Sequence, residues 1–187
     1  MRVIAGTLGG RRLRAPAGRA TRPTSDRVRE ALFSMLGEID GARVLDLFAG
    51  SGALGIEALS RGAAHAVFVE RDAGAAAVLR ENLRALGVGP ERAELRRADA
   101  RAALRHASAS GEKYDLVFID PPYGEASVWS PRLAASLPEL LAPGGRAVAE
   151  SDRRLPLALG LPVETERRYG DTSITIHRNR CPTTNAP

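Results

Sequence analysis

The sequence predicts an α/β fold in which a mostly parallel sheet carries helices on both faces and finishes as an antiparallel hairpin. Three observations predict this class. From residue 43 onward, short apolar runs alternate with stretches of helical periodicity, as in a parallel sheet covered on both faces. A glycine-rich turn follows the first of these runs. After Pro156 the alternation gives way to two extended runs around Gly170 and Asp171, which is a hairpin signal.

The strands and their connecting helices follow in order along the chain. Helices near residues 53–61 and 73–86 end at Gly62 and Gly87, because glycine readily takes the left-handed conformation that follows a helix. A helix candidate also separates each later pair of parallel strands. The predicted strands are residues 43–48, 65–70, 93–97, 114–119 and 146–150 of the parallel part, then 163–169 and 172–177 of the hairpin.

The basic residues are concentrated at the N-terminus. Residues 1–29 hold eight arginines and one acid, Asp26, whereas the rest of the chain is slightly acidic. A basic arm on a near-neutral body is what a protein needs to hold a polyanion by its phosphates. Runs at residues 2–5 and 12–14 around Gly9 and Gly10 predict a small hairpin that carries these arginines.

Three parts of the chain are predicted: a basic arm at residues 1–22, a domain at residues 23–179 and a loose tail at residues 180–187. Thr24 or Ser25 can cap the first helix of the domain, since apolar residues recur at helical spacing from Val28 onward. A chain of 187 residues with 44% apolar content is about one domain and can bury a continuous core.

Composition excludes several other classes. No stretch of about 18 uncharged apolar residues occurs, and the N-terminus lacks the apolar segment of a secretory signal, so we expect a cytoplasmic protein with no membrane association. One cysteine, Cys181, cannot form an internal disulfide. With three scattered histidines the sequence predicts no metal site.

The turn after the first strand has the spacing of a nucleoside-cofactor site. Gly50, Gly52 and Gly55 satisfy GxGxxG, and Glu70 lies 20 residues after Gly50, where a ribose-binding acid is expected. The motif alone does not separate NAD from other nucleoside cofactors. Asp46, just before the glycines, would repel a pyrophosphate but would attract a sulfonium and an α-amino group. The residues therefore favour S-adenosylmethionine.

A third carboxylate follows the third predicted strand. Asp99 would meet Asp46 and Glu70 at the carboxyl edge of the sheet, where ligands of open α/β sheets bind. The chemistry suggests Asp46 for the methionine moiety, Glu70 for the ribose hydroxyls and Asp99 for the adenine amino group. The alternative for Asp99, which precedes a helix, is an N-cap.

The fourth predicted strand ends in Asp120, Pro121, Pro122 and Tyr123. Two prolines cannot continue a hydrogen-bond ladder, so the backbone leaves the sheet in a fixed extended shape. An exocyclic base nitrogen is a poor nucleophile because its lone pair is delocalised, and it must be held in line with the leaving sulfur. The Asp120 carboxylate and the Pro121 carbonyl can accept its hydrogens, while Tyr123 offers a stacking face. These four residues are the predicted catalytic segment for direct in-line methyl transfer.

These motifs resemble the class I S-adenosylmethionine-dependent methyltransferases that modify amino groups and have a Rossmann-like sheet. More closely, the chain from residue 2 to about residue 177 resembles the RsmD family, bacterial small-subunit ribosomal RNA guanine-N2 methyltransferases. Two family-specific segments carry the resemblance, RVIAG with GRRL at residues 2–13 and RPTSDRVREALF at residues 22–33. The segments at residues 46–52 and 120–123 fit many methyltransferases.

The resemblance implies a cofactor site built from the glycine turn and the strand ends. Within it, Asp46 to Gly52 wrap the methionine end, and the segment from Arg22 to Thr24 crosses the pocket near the cofactor carboxylate. The implied binding residues are Asp46, Phe48, Ala49, Gly50, Ser51, Gly52, Glu70, Arg71, Asp99, Ala100, Arg22 and Thr24.

The resemblance also implies the substrate. Arg11, Arg12, Arg14 and Arg19 of the arm would grip 16S ribosomal RNA within assembled or partly assembled 30S subunits, and the protein would act as a monomer. Two alternatives stay open. Because Asp-Pro-Pro-Tyr does not specify the base, the protein could be an amino methyltransferase that acts on adenine or cytosine of DNA or RNA. The second alternative is a non-catalytic RNA-binding or assembly factor. A nucleotide-dependent oxidoreductase would share the glycine fingerprint but has no need of the Asp120 segment.

Overall fold

A computed structural model describes residues 1–16, 25–122 and 124–180 of the chain. The chain falls into two compact units, Met1–Ala103 and Leu104–Pro187. The helices are α1 (Asp26–Leu36), α2 (Ala53–Ser60), α3 (Ala73–Leu86), α4 (Ala100–Ala109) and α5 (Ala126–Leu140). The strands are β1 (Arg43–Asp46), β2 (His65–Val69), β3 (Ala93–Arg96), β4 (Tyr114–Ile119), β5 (Leu141–Asp152), β6 (Val163–Tyr169) and β7 (Thr172–Arg178).

The first unit contains three parallel strands in the order β3-β2-β1. In register, Asp46 pairs with Phe68 and Val69 pairs with Arg96, so the three strands end at one edge. Strands β1 and β2 are buried over nearly their whole length, as expected for a sheet covered on both faces. Helix α3 has the predicted bounds, since the Asp72 side chain caps its start.

The second unit combines parallel and antiparallel pairing in the order β4-β5-β7-β6. Strands β4 and β5 are parallel, whereas β7 pairs antiparallel with both β5 and β6. The predicted terminal hairpin is therefore confirmed. Strand β5 begins at Leu141, earlier than the predicted residue 146, because a register shift in its pairing with β4 accommodates the glycines at 144 and 145.

The N-terminal arm, defined here as residues 1–16, is folded against α2 and α3. The predicted hairpin is reduced to one antiparallel bridge, between Arg2 and Arg12, supported by the N–H of Val3 donating to the carbonyl of Arg11 (2.9 Å). Two apolar side chains of the arm, Val3 and Leu13, are buried. The arm is thus a docked part of the first unit.

The described arginines of the N-terminal region are not all available to a ligand. Arg29 in α1 is fully buried, and its Nη2 donates to the Arg2 carbonyl (2.6 Å) and to the Asp26 carboxylate (2.7 Å). The same carboxylate lies 3.4 Å from Nε of Arg2. Ser25 is the N-cap of α1, as predicted, through its side chain and the N–H of Val28. Part of the basic charge is therefore structural.

Some predictions fall on residues that the structure does not describe. They concern Arg19, Arg22, Thr24, Tyr123 and Cys181. Among the residues that are described, no helix combines the length and the apolar character needed to cross a membrane.

Candidate active site

The turn from β1 into α2 brings backbone close to the ends of the strands. Gly52 has a φ of +82°, and the N–H of Gly52 donates to the carbonyl of Ala49 (2.7 Å), which closes a tight turn. At Gly55 an added Cβ would lie 2.3 Å from the ring of Phe68, so only glycine lets α2 pack this closely on β2. The GxGxxG residues thus serve the tight turn and the helix packing that the fingerprint requires.

Asp46 is the last residue of β1 and is only 3% exposed. The N–H of Gly55 donates to its carboxylate (3.1 Å), which ties the strand end to the first turn of α2. Burial raises the pKa of Asp46 to about 7; the Gly55 hydrogen bond opposes this shift and the nearby Glu70 charge adds to it. A cation placed beside this carboxylate would relieve the cost of its ionisation.

Glu70 directly follows β2 and is also buried. One carboxylate oxygen accepts from the N–H of Gly50 (2.9 Å), and the other accepts from the N–H of Asp72 (2.7 Å). These two backbone contacts fix the orientation of the carboxylate. Glu70 and the glycine turn therefore form one connected unit.

The other predicted cofactor residues lie in mixed environments. Asp99 is exposed, and its carboxylate accepts from the N–H of Arg101 (2.9 Å), the contact of a helix N-cap at the start of α4. Ala100 is buried, Arg71 is exposed and Phe48 is partly buried. The capping contact uses one oxygen of Asp99 and leaves acceptor capacity on the other.

Two buried polar side chains that the sequence analysis missed hold the arm in place. Asn82 of α3, 3% exposed, donates to the carbonyls of Ser51 (2.9 Å) and Arg14 (3.0 Å) and accepts from the N–H of Arg14 (2.8 Å). Glu57 of α2, fully buried, accepts from the N–H groups of Ile4 (2.7 Å) and Ala5 (3.1 Å).

A signal for the burial of Asn82 was present in the sequence. Asn82 recurs with Leu79, Leu83 and Leu86 on the apolar face of α3, and a polar residue at a core position is the informative exception to apolar burial. The Asn82 side chain therefore connects the glycine turn, at the Ser51 carbonyl, to the arm, at the backbone of Arg14.

The second unit carries the Asp120 segment. Asp120 is exposed and directly follows β4, of which all residues except Asp115 are buried. Pro121 and Pro122 are partly buried and end the strand, as their chemistry requires. Trp129 of α5 is buried, and its Nε1 donates to Glu125 (2.9 Å), which makes it a packing residue in this unit.

Comparison with known proteins identifies the family. The family model described as Conserved hypothetical protein 95 matches residues 1–178. The protein named Putative rRNA methyltransferase YlbH, from Bacillus subtilis, is 44% identical over 184 residues, which are 96% of this chain and 100% of that protein. Ribosomal RNA small subunit methyltransferase D of Escherichia coli is 44% identical over 124 residues, which are 66% of this chain and 60% of that protein. The chain belongs to the RsmD family.

Solved structures give this RsmD-family protein its fold class. The structure named Putative methyltransferase yhhF from Escherichia coli has a TM-score of 0.80 and 33% identity, covering 97% of this chain and 99% of that one. An RNA methyltransferase from Salinibacter ruber in complex with S-adenosyl-L-homocysteine has a TM-score of 0.65 at 20% identity, covering 88% and 97%, and shows the fold alone. The predicted Rossmann-like class I methyltransferase fold is confirmed.

The first unit of this RsmD-family protein suits a cationic nucleoside cofactor. Asp46 is a buried carboxylate whose ionisation a sulfonium or ammonium would favour, and Glu70 is pre-oriented by backbone N–H groups. A pyrophosphate beside Asp46 would instead meet a like charge. Within residues 1–16, 25–122 and 124–180, no group of three or more metal-ligating side chains occurs.

Proposed function

We propose that this protein transfers a methyl group from S-adenosylmethionine to the 2-amino group of a guanine in 16S ribosomal RNA. The observation that carries the proposal is the exposed Asp120, followed by two prolines, in a chain of the RsmD family. The Asp46 and Glu70 arrangement supports the cofactor, and the names of the relatives support ribosomal RNA as the substrate.

In this proposal the first unit holds the cofactor. Asp46 pairs with the positive charge of the methionine moiety, while Glu70, whose carboxylate the N–H groups of Gly50 and Asp72 orient, accepts the ribose hydroxyls. Asp99 accepts from the adenine amino group in addition to capping α4. The cofactor supplies an electrophilic methyl group on a positively charged sulfur. The remaining members of the proposed set are Phe48, Ala49, Ser51, Gly52, Arg71, Ala100, Arg22 and Thr24.

The Asp120 segment holds the base. The Asp120 carboxylate and the Pro121 carbonyl accept the two hydrogens of the guanine amino group, which localises its lone pair on nitrogen. Pro122 fixes the exit of the backbone, and Tyr123 stacks on the base. In-line attack by this nitrogen would break the carbon–sulfur bond, with the electron pair going to sulfur, and the amino proton released would pass to the Asp120 carboxylate and from there to water. Positioning supplies most of the rate, since no covalent enzyme intermediate is needed.

The proposal extends to the surroundings of the reaction. The proposed contacts to ribosomal RNA in assembled or partly assembled 30S subunits are Arg11, Arg12 and Arg14 of the arm, together with Arg19, and the protein acts as a cytoplasmic monomer. In this proposal the chain consists of a basic N-terminal segment at residues 1–22, which includes the arm, a methyltransferase domain at 23–179 and a tail at 180–187. The arginine excess of residues 1–29 supports the RNA contact, because arginine and lysine side chains neutralise phosphates.

A labelling experiment tests this function. The protein is incubated with methyl-labelled S-adenosylmethionine and, in parallel, with undermethylated small subunits, naked 16S ribosomal RNA and duplex DNA, and the nucleosides are then analysed. We expect label in 2-methylguanosine of 16S RNA. Label in methyladenosine or methylcytidine would assign another base, and cofactor binding without any transfer would favour the non-catalytic RNA-binding factor.

A further inference from the structure

The arginines of the arm differ in what they contact. Nη2 of Arg11 donates to the carbonyl of Ala85 (2.8 Å), and Nη1 of Arg14 pairs with Glu81 (2.7 Å). Both partners belong to α3, so these two side chains fasten the arm to the helix. Arg12 lies between them in sequence and is exposed, and its guanidinium has no hydrogen bond or ion pair with the described residues.

Arg12 lines a groove between the arm and α3. The groove has a volume of about 440 Å³, and Arg84 of α3 lines it as well. Arg84 is exposed and, like Arg12, forms no side-chain hydrogen bond or ion pair within the part of the chain that the structure describes. The other lining residues are Leu13, Arg14, Glu81, Asn82 and Ala85.

The charge of this arm groove is positive after its internal pairing. Glu81, the one acid among the lining residues, is engaged by Arg14. Arg12 and Arg84 therefore remain as two cations without a compensating acid in the lining. A guanidinium matches the oxygens of a phosphodiester through paired N–H groups, which makes a phosphate the ligand of choice for such a groove.

The arm groove is also held rigidly. Asn82 binds both the N–H and the carbonyl of Arg14, and the N–H of Gly10 donates to the carbonyl of Val3 (2.9 Å). Because the backbone on both sides of Arg12 is fixed, a ligand would not have to order the arm on binding.

We propose that the arm groove binds a phosphodiester of the RNA substrate between Arg12 and Arg84, while Arg11 and Arg14 hold the arm on α3. This inference rests on the proposed function for the identity of the polyanion. It extends the RNA interface to α3, on which the sequence analysis placed no RNA contact. It also assigns Arg11 and Arg14, two of the arginines proposed above as RNA contacts, mainly to positioning.

Salt-dependent binding tests the proposal. Arg12→Gln, Arg84→Gln and the double variant are compared with wild type for affinity to naked 16S ribosomal RNA and to undermethylated small subunits across a KCl series. We expect each single variant to bind about three- to tenfold more weakly and to lower the salt slope by about 0.7–0.9. The double variant should lower the slope by about twice that amount. Affinity for S-adenosylmethionine, measured by calorimetry, should be unchanged.

Two controls separate a phosphate contact from other losses. Arg105→Gln removes an exposed arginine of α4 that does not line the arm groove, and should leave the salt slope unchanged. Arg11→Gln should lower the thermal midpoint while changing the slope by less than half a unit.

Three outcomes would contradict the proposed phosphate contact. The first is an unchanged salt slope in the double variant, and the second is an equal loss of slope in the Arg11 and Arg12 variants with unchanged thermal midpoints. The third is the absence of RNA binding by the wild-type protein. Methyl transfer to ribosomal RNA by the same wild-type preparation is read independently. A result that contradicts phosphate binding in the arm groove is therefore distinguishable from one that contradicts the proposed methyltransferase function.

Discussion

Asp46 and Asp120, both required by the proposed reaction, occupy opposite environments in their respective units. Asp46 ends a buried strand and accepts the N–H of Gly55, whereas Asp120 is exposed and is followed by two residues that have no N–H. Asp99 also follows a strand, but its carboxylate accepts a hydrogen bond from the N–H of Arg101 two residues later. Asp46 is thus held by a backbone donor of its own unit, whereas Pro121 and Pro122 supply no backbone N–H at the two positions after Asp120.

The largest effect is expected at Asp120. Asp120→Ala should lower the methylation rate by about 10²–10⁴, because the amino group loses an acceptor needed only as the reaction proceeds. S-Adenosylmethionine affinity should stay within about threefold of wild type, since Asp120 is not assigned to the cofactor. Single-turnover transfer to small subunits and calorimetry with the cofactor measure the two quantities.

The matched control is Asp115→Ala, on the same strand. Asp115 is exposed near the start of β4, five residues before Asp120, or about 16 Å along an extended strand. The methylation rate of Asp115→Ala should match that of the wild-type protein. Equal losses of rate and of cofactor affinity in Asp120→Ala would instead assign Asp120 to the cofactor site.

The next effect concerns the framework of the first unit. Asn82→Ala leaves the Ser51 carbonyl and both backbone groups of Arg14 without their partner, so the free energy of unfolding should fall by about 2–4 kcal/mol. Asn82→Asp should cost at least as much, because a carboxylate would face two carbonyl oxygens. Urea denaturation gives the change.

Arg80→Ala on the exposed face of α3 serves as the control for this pair, with a change within about 0.5 kcal/mol. RNA affinity of Asn82→Ala should fall with stability, since the arm is released. Unchanged stability in Asn82→Ala would show that the arm does not depend on this side chain.

The sequence predicts much of this architecture and less of its buried polar contacts. Strand β4 and helix α3 have the predicted bounds because apolar runs and end signals agree there. Strand β5 starts early because tertiary pairing with β4 overrides the local glycine signal. Arg29 counted toward the basic excess of residues 1–29, yet it is buried and paired with Asp26, because a count of charges along the sequence does not register burial.

The candidate site likewise contains residues that could be predicted from the sequence and contacts that could not. Asp46 and Glu70 could be predicted because strand ends and glycine spacing are local features of the chain. The backbone groups that the side chains of Asn82 and Glu57 bind could not be predicted, because these groups lie 31 or more residues away in sequence. The different contacts of Arg11 and Arg12 likewise depend on where α3 lies in the folded unit.

The smallest of the expected effects is the pH dependence of cofactor affinity, and it follows from the burial of Asp46. Its pKa is raised to about 7, so the carboxyl binds a proton below that pH in the free protein, whereas a bound sulfonium favours the ionised form. Affinity for S-adenosylmethionine should therefore increase with pH through about 7, by about tenfold between pH 6 and pH 8, with proton release on binding below pH 7. Asp46→Asn should bind the cofactor more weakly at pH 8 and should show no such rise.

Stability should change with pH in the opposite direction. Between about pH 4 and pH 7 the folded state holds a proton on Asp46 that the unfolded chain has already released, so the Asp46 contribution to the free energy of unfolding falls as pH rises through this window. Asp46→Asn removes that fall, and the difference in unfolding free energy between variant and wild type should shift in favour of the variant from pH 5 to pH 8. Urea titrations of both proteins at these two pH values measure it. A difference that does not change with pH would mean that the buried carboxyl titrates near its ordinary value, and the rise in cofactor affinity would then need another group.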